Sequence, residues 1–281
     1  MAALLALVSS LLWGSADFLG GTISRRRKAA LVVGASQAAG LLTIALVATL
    51  AGAWGDDTGY LPWAVLSGVA GVVGLVSFYA ALAAGTMGVV SPIAALGVVV
   101  PVLAGFAQGE RPAVWQLVGI VVAIAGVVMA SGPELSGKAG ARPVLLAAVA
   151  AVGFGVALLA IAKGSEHSTL MTLTTMRVTS VSLLGAALVV ALARGGRRSD
   201  YVLSGRDVVL VALVGVADLS ANLTFGLASR RDDVSVVSVL GSLYPVVTVL
   251  LARVFHDERL GRLQSAGVVL ALAGVVLIAA G

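Results

Sequence analysis

The sequence contains one stretch twice, 148 residues apart. Residues 110–128 return as residues 258–276, with ten identities in nineteen positions and no gap. Charged and amide residues are among the matches, and the alanine, valine and glycine bias of the chain does not explain them. The matching residues of the first copy are Glu110, Arg111, Gln116, Gly119, Val121, Ala123, Ala125, Gly126, Val127 and Val128. This repeat predicts that the chain is a duplication of one structural unit.

Long apolar runs separate short clusters of charge along the whole chain. Hydrophobic residues make up 59% and charged residues 11% of the 281 residues, whereas soluble domains carry roughly 25% charged residues. A helix that spans a bilayer needs ~20 mostly apolar residues, and nearly the whole chain divides into runs of that kind. Membrane β-barrels instead have segments of ~10 residues with alternating polarity. The sequence therefore predicts an all-α membrane protein.

The apolar runs predict ten transmembrane helices, five on each side of a polar linker at residues 132–142. The predicted spans are residues 2–23, 29–53, 62–84, 88–108, 113–131, 143–163, 168–193, 207–229, 233–254 and 262–280. Because each unit, 1–131 or 143–281, holds an odd number of spans, the second must enter the membrane from the opposite side. The result is two inverted five-helix repeats, a design found in transporters. Basic residues follow the first run instead of preceding it, so residues 2–23 are predicted to be a retained helix.

Lysine and arginine are distributed unevenly among the predicted loops. The odd-numbered loops, counted from the N-terminus, hold 13 of them and the even-numbered loops hold 4. By the positive-inside rule, this count puts the odd loops in the cytoplasm and both termini outside. The net charge of +5 then reflects membrane orientation, and binding of nucleic acid is not expected.

Three ionisable residues stand out inside the predicted spans, namely Asp17, Arg177 and Asp218. Such residues are costly in a membrane and usually face a bundle interior or a wet cavity. From the rise of ~1.5 Å per residue, Arg177 is closer in depth to Asp218 than to Asp17. We therefore expect an Arg177–Asp218 pair and a less compensated Asp17, with Gln37 at the depth of Asp17. These groups either brace the bundle as structural ion pairs or bind a substrate or a coupling proton.

Further polar and aromatic residues accompany these charges. Asn222 lies one helical turn after Asp218, and Trp13 lies one helical turn before Asp17. Each therefore shares a helix face with that aspartate. Trp13 is near mid-depth and serves either packing or cavity lining. Tyr244 is a candidate for the same cavity, since a buried phenol seeks a polar partner. Tyr79 lies near a span end, and we expect it to anchor at the membrane interface.

Prolines interrupt the fourth span of each unit. Pro92 and Pro101 lie in span 88–108, and Pro245 lies in span 233–254. Proline frees a backbone carbonyl and bends a helix, and membrane helices tolerate this where neighbours or water satisfy the freed group. Paired interruptions point to a transport site, although a kink with only a packing role gives the same pattern.

The last span of each unit differs from the others. Gly119 and Ala123 in one unit, and Gly267 and Ala271 in the other, are small residues four apart that let helices approach closely. Both spans are almost free of polar residues. We predict that they are peripheral scaffold or dimer helices, so the chain is a monomer or a homodimer through them. The Glu-Arg pairs ahead of these spans are predicted to fix helix ends.

The whole chain resembles the drug/metabolite transporter superfamily, EamA type. The resemblance is carried by the ten spans, the inverted repeat, Trp13-Gly14, and a Pro…Glu-Arg…Gln-x-x-Gly…Gly-Val ending to each half. Residues 13–18 and 243–248 resemble an actinobacterial branch. In the first half Gly97 stands where the second half has Pro245.

This resemblance implies a multi-pass protein of the bacterial plasma membrane. Its expected activity is transport of small metabolites, amino acids or drug-like solutes by alternating access, often export. The implied cavity lies within spans 1–4 and 6–9, with spans 5 and 10 outside it. The resemblance also implies cytoplasmic termini, which disagrees with the lysine and arginine count.

Other classes of protein are a channel, a non-transporting scaffold and an intramembrane enzyme. The two histidines, His167 and His256, lie in predicted loops, and the chain has no HExxH, GxSxG or Gly-rich phosphate motif. Zero cysteines exclude disulfides and thiolate chemistry. We expect no metal and no other cofactor. Two carboxylates against one arginine in the spans favour a cationic, zwitterionic or proton-coupled solute.

Overall fold

The computed structural model describes residues 1–85, 87–131, 141–196, 201–256 and 261–280. Helices make up the regular structure of these residues. They are α1 (Ala2–Ser24), α2 (Ala29–Leu50), α3 (Leu61–Ala84), α4 (Met87–Ala95), α5 (Val99–Ala107), α6 (Val114–Ser131), α7 (Ala141–His167), α8 (Thr169–Ala193), α9 (Gly205–Ser229), α10 (Val234–Gly241), α11 (Tyr244–His256) and α12 (Arg262–Ala280). Most of the predicted linker, and the second Glu-Arg pair, Glu258-Arg259, lie outside the described residues.

Seven segments of the described chain are long and apolar enough to cross a membrane, and two shorter apolar segments cover residues 93–107 and 114–126. Large apolar side chains remain exposed along these helices, among them Leu42, Val121 and Val189, which are 75%, 67% and 66% exposed. In a bilayer these side chains face lipid. The chain is therefore an all-helical, multi-pass membrane protein.

Local chemistry sets the helix ends. Pro62 occupies the first turn of α3, where its missing N–H costs no helical hydrogen bond. Ser168 caps α8, since its side chain accepts a hydrogen bond from the backbone N–H of Met171. Gly109 and Gly195, which follow α5 and α8, have φ angles of +91° and +87°, a conformation that favours glycine.

Two predicted spans are interrupted. A 3₁₀ turn at Leu96–Val98 separates α4 from α5, and residues 242–243 separate α10 from α11. Pro101 and Pro245 stand in the first turn of the helix that restarts after each break. Each proline therefore follows a short stretch in which regular α-helical hydrogen bonding is interrupted.

Helices α6 and α12 pack against each other within one chain. A Cβ at Gly274 would lie 2.5 Å from the backbone nitrogen of Ala123, so the small residues there permit close approach of the two helices. Part of the small-residue surface of the last spans is thus used inside the chain. The homodimer through these helices stays a prediction.

The interfacial position expected for Tyr79 is wrong. Tyr79 is only 1% exposed, and its ring packs against Gly20 of α1. Its hydroxyl donates to the carbonyl oxygen of Ala16 at 3.5 Å. The missing side chain of Gly20 makes room for the ring between α1 and α3, and nearness to a span end does not reveal this space.

Candidate functional site

A cavity lies among helices of both halves of the chain. About 90 Å³ of it is open to the centres of water-sized molecules, which is room for several waters, since one needs roughly 10–15 Å³. The lining residues come from α1 to α4, from α7, α8, α9 and α11, and from the two breaks. None of the lining residues belongs to the described parts of α6 or α12. The structure brings together all seven residues predicted for a cavity: Trp13, Asp17, Gln37, Arg177, Asp218, Asn222 and Tyr244.

Arg177 is the centre of a polar network beside the cavity. It is 2% exposed, and its Nη2 lies 2.8 Å from Oδ2 of Asp218, an ion pair without hydrogen-bond alignment. Its Nη1 donates a hydrogen bond to Oε1 of Gln37. Asn222 Nδ2 donates to the backbone carbonyl of Asp218 at 2.6 Å and to its Oδ1 at 3.3 Å. The ion pair expected from depth is present.

Gln37 joins this network, although its depth suggested a place beside Asp17. Its Nε2 lies 3.5 Å from Oδ2 of Asp218, so one amide contacts both members of the ion pair. A Cβ at Gly40, one turn later in α2, would lie 3.4 Å from Nε of Arg177. The guanidinium therefore lies directly against α2, which depth alone cannot indicate.

Asp17 stands apart from the network. It is 6% exposed, and within the described residues its carboxylate makes no hydrogen bond or ion pair. It interacts electrostatically with Asp218 and with the phenols of Tyr79 and Tyr244. The hydroxyl of Tyr244 is also buried, and it has no hydrogen-bond partner in the part of the chain that the structure describes.

Aromatic rings form part of the cavity wall. Trp13 packs on Phe225 with 5.7 Å between ring centroids. Phe78 contacts both Phe154 and Tyr244, at 5.4 and 6.3 Å. Sequence reasoning did not select the phenylalanines, because an apolar residue in a membrane span fits a lipid face as well as a cavity. The sequence carries a weak signal for Phe154, because Phe154-Gly155 lies 141 residues after Trp13-Gly14 and so corresponds to it in the second half.

Both helix breaks border the cavity. Val98 and Ala95 line it from the first break, and Ser242 and Tyr244 line it from the second. Pro101 and Pro245 are not lining residues, and Pro92 belongs to α4. The breaks therefore lie at the cavity wall, while the prolines follow them in the next helical turn.

Glycines let the two halves approach closely at these breaks. A Cβ at Gly14 would lie 2.6 Å from the carbonyl oxygen of Tyr244, and the hydroxyl of Thr248 donates to the carbonyl of Gly14 at 3.2 Å. A Cβ at Gly155 would collide with the carbonyl oxygen of Gly97. Gly14, which follows Trp13, and Gly155, which follows Phe154, thus each pack on the broken span of the opposite half.

The arginine cluster (Arg26, Arg27 and Asp207) joins the halves through the α1–α2 turn and the start of α9. Arg26 and Arg27 each lie 3.0 Å from a carboxylate oxygen of Asp207. Two guanidinium groups beside one carboxylate stabilise its charged form. The carboxylate is therefore ionised at neutral pH, and the cluster stays charged.

The histidine cluster (Asp56, Asp57, His167 and Ser168) also joins the two halves. His167 Nδ1 lies 2.7 Å from Oδ2 of Asp57, and the Ser168 hydroxyl donates to Asp56 at 2.5 Å. The hydrogen bond with His167 is the largest cause of the lowered pKa of Asp57. Two separate polar clusters therefore link the first half to the second.

Glu110 of the duplicated stretch binds the start of α10. Its carboxylate accepts hydrogen bonds from the backbone N–H groups of Val234 and Ser235, at 2.9 and 3.1 Å. Burial, and after it the charge of Glu110, raises the pKa of the neighbouring Asp233. The duplicated glutamate therefore fixes a helix end, as expected, but that helix belongs to the opposite half.

Replacement of Glu110 with alanine is expected to lower the free energy of unfolding by about 0.5–2 kcal/mol, the usual cost of a lost helix cap. Thermal unfolding of the purified protein in detergent measures the change. Glu166→Ala is the matched control, because Glu166 is exposed and paired only with Lys163 within the described residues. Equal unfolding temperatures for the two variants would contradict the capping role.

Comparisons with known proteins give a family and a fold. A family model described as the EamA-like transporter family matches residues 1–132 and 141–280, which covers both halves. A solved structure described simply as the crystal structure of a protein superposes with a TM-score of 0.75 at 20% identity, over 98% of this chain and 95% of that one. At this identity the likeness shows the fold alone. A search of curated proteins gave no match.

Proposed function

Because the chain belongs to the EamA-like transporter family, we propose that it is a secondary transporter that carries a small solute across the plasma membrane. The solute binds in the cavity beside Asp17 and the Arg177 network, and the protein works by alternating access. The observation that carries this proposal is the buried polar network at a cavity between the two halves. Ionisable groups inside membrane-spanning helices are costly and are typical of substrate and ion pathways.

The two halves are proposed to be inverted repeats of five spans each, which makes ten spans in total. The family match to both halves supports this proposal. Equivalent contacts support it as well: Gly14 packs on the second break at Tyr244, and Gly155 packs on the first break at Gly97. Trp13-Gly14 and Phe154-Gly155 are 141 residues apart, so each contact is the counterpart of the other.

The arginine and histidine clusters are counterparts under the same proposal. Arg26 and His167 are 141 residues apart, and Asp57 and Asp207 are 150 apart, close to the offset of the duplicated stretch. In an inverted repeat, such counterparts lie at opposite faces of the membrane. We propose that the clusters close the two faces, and that one of them opens in each inward-facing or outward-facing state.

The family resemblance supports export as the direction of transport. Asp17 is the proposed site for a coupling proton or for the solute, because it is buried and lies outside the Arg177 network. Gln37 and Asn222 hold the ion pair, and Trp13 and Tyr244 contact the solute. The helix breaks are the proposed bending points of these spans, because the nearby Pro101 and Pro245 lack the N–H that would bond to the preceding turn.

A channel is the main alternative, and contacts between the halves at both clusters favour a carrier. Purified protein in liposomes separates the two classes. A carrier gives saturable uptake and counterflow, in which unlabelled solute inside the vesicle accelerates entry of labelled solute. Flux that does not saturate, without counterflow, would contradict the proposed function.

A further inference from the structure

The charges around the cavity do not balance. Arg177 is paired with Asp218 at 2.8 Å, and its Nη1 donates a hydrogen bond to Gln37. Its Nε has no hydrogen-bond partner within the described residues. Asp17 lies within electrostatic reach of Asp218, so in its ionised form it adds a second negative charge beside the first. A buried carboxylate without a partner costs far more than a paired one. Asp17 therefore needs either a proton or a bound cation.

The surroundings of Asp17 suit an organic cation better than a hydrated metal ion. Trp13, one turn from Asp17, presents an aromatic ring to the cavity, and Phe154 presents another. Aromatic faces attract ammonium groups, and the attraction strengthens when water is excluded. The described residues hold no cluster of three or more acidic or histidine side chains that would bind a metal ion.

Tyr244 supplies a second unsatisfied group. Its hydroxyl is buried without a partner within the described residues, and it interacts electrostatically with Asp17. A phenol oxygen can accept a hydrogen bond from an ammonium group while its O–H donates a hydrogen bond to a carboxylate. One ammonium group between Asp17 and Tyr244 would satisfy both residues.

We propose that the solute is an organic cation whose ammonium group binds Asp17 and Tyr244 while its apolar body packs on Trp13 and Phe154. This inference rests on the proposed function, because it names the solute class of the same cavity. Arg177 is a positioning residue in this assignment: it holds Asp218 and leaves Asp17 to the solute.

A set of four probes with one phenyl body tests the assignment. Phenethylamine carries a positive charge, phenylalanine is a zwitterion, 3-phenylpropionate is an anion and 2-phenylethanol is neutral. Isothermal titration calorimetry with the purified protein measures the binding of each. We expect phenethylamine to bind at least about tenfold more tightly than the alcohol, as for a hydrogen bond to a charged group. The anion should bind least.

Variants of Asp17 locate the bound cation. Asp17→Asn is expected to weaken the binding of phenethylamine by at least about tenfold. Asp17→Glu should still bind the amine more tightly than the alcohol. Asp232→Asn is the matched control, because Asp232 is exposed, and it should bind as the unaltered protein does. If Asp17→Asn does not fold, the binding of the four probes to the unaltered protein still tests the preference for a cation.

Three outcomes would overturn the inference: the anion or the zwitterion binds best, the amine and the alcohol bind equally, or no probe binds at millimolar concentration. A preference for the amine that Asp17→Asn leaves unchanged would also overturn it. Counterflow of an anionic solute would contradict the ammonium assignment and would support the proposed transport. Tight, Asp17-dependent binding of the amine without counterflow would contradict the proposed transport alone.

Discussion

Replacing Arg177 with methionine is expected to lower the free energy of unfolding by about 3–5 kcal/mol, the cost of removing one partner of a buried ion pair. Arg177 is among the largest fully buried side chains of the described residues, and it is 2% exposed. Its loss leaves Asp218 without a counter-charge, close to the second carboxylate at Asp17. Thermal or denaturant unfolding in detergent micelles measures the loss.

A double variant separates charge from volume. When Arg177→Met is combined with Asp218→Leu, an uncharged pair of similar volume replaces the ion pair, and such replacements are often neutral. We expect the double variant to be more stable than Arg177→Met alone. Arg194→Met is the surface control, because Arg194 is exposed, and its change should be near zero. An Arg177→Met protein as stable as Arg194→Met would contradict the buried network.

Replacing Gly155 with alanine has the second-largest expected effect. Its Cβ would collide with the carbonyl oxygen of Gly97 and would lie 2.7 Å from a methyl carbon of Val100. Overpacking of this kind costs about 1–3 kcal/mol. The contact joins α7 to the first helix break, so we expect the variant to lose transport as well as stability. Unfolding temperature and liposome uptake are the two measurements.

Gly185→Ala is the matched control, since a Cβ at Gly185 meets nothing within 4 Å. Gly185 lies inside α8, where alanine is favoured over glycine by about 0.8–1 kcal/mol. We expect this variant to be slightly more stable and to transport normally. If Gly155→Ala behaves like Gly185→Ala, the close approach at the break is not required.

The helical class and the site charges could be predicted from the sequence because they depend on short-range patterns. Apolar run length predicts a membrane helix whatever its neighbours are. An ionised residue in such a run must find a partner or a cavity, which selects Asp17, Arg177 and Asp218. Depth along each helix then paired the arginine with Asp218.

Other features could not be predicted, because they depend on how helices rotate against one another. Gln37 reaches Arg177 because Gly40 and Gly215 let α2 and α9 approach. Tyr79 is buried because Gly20 leaves space for its ring. Glu110 caps a helix of the opposite half, a long-range contact that its sequence neighbours do not indicate. Apolar cavity residues such as Phe154 have the same composition as lipid-facing ones.

Labelling of one cysteine in the cavity tests alternating access most directly, because the chain has no cysteine of its own. Ser242 lines the cavity at the second helix break and is 6% exposed. Ser242→Cys in liposomes is treated with a membrane-impermeant thiol reagent on one side at a time. Thr58→Cys, at the exposed start of a 3₁₀ turn beside the histidine cluster, is the control that should react from one side only.

The proposed transporter predicts that Cys at position 242 reacts from both sides. Asp207→Asn, which weakens the arginine cluster, should speed labelling from one side, and Asp57→Asn should speed it from the other. Each variant should slow labelling from the opposite side, because only one face is open at a time. Reaction from a single side, or both variants speeding labelling from the same side, would contradict alternating access through this cavity.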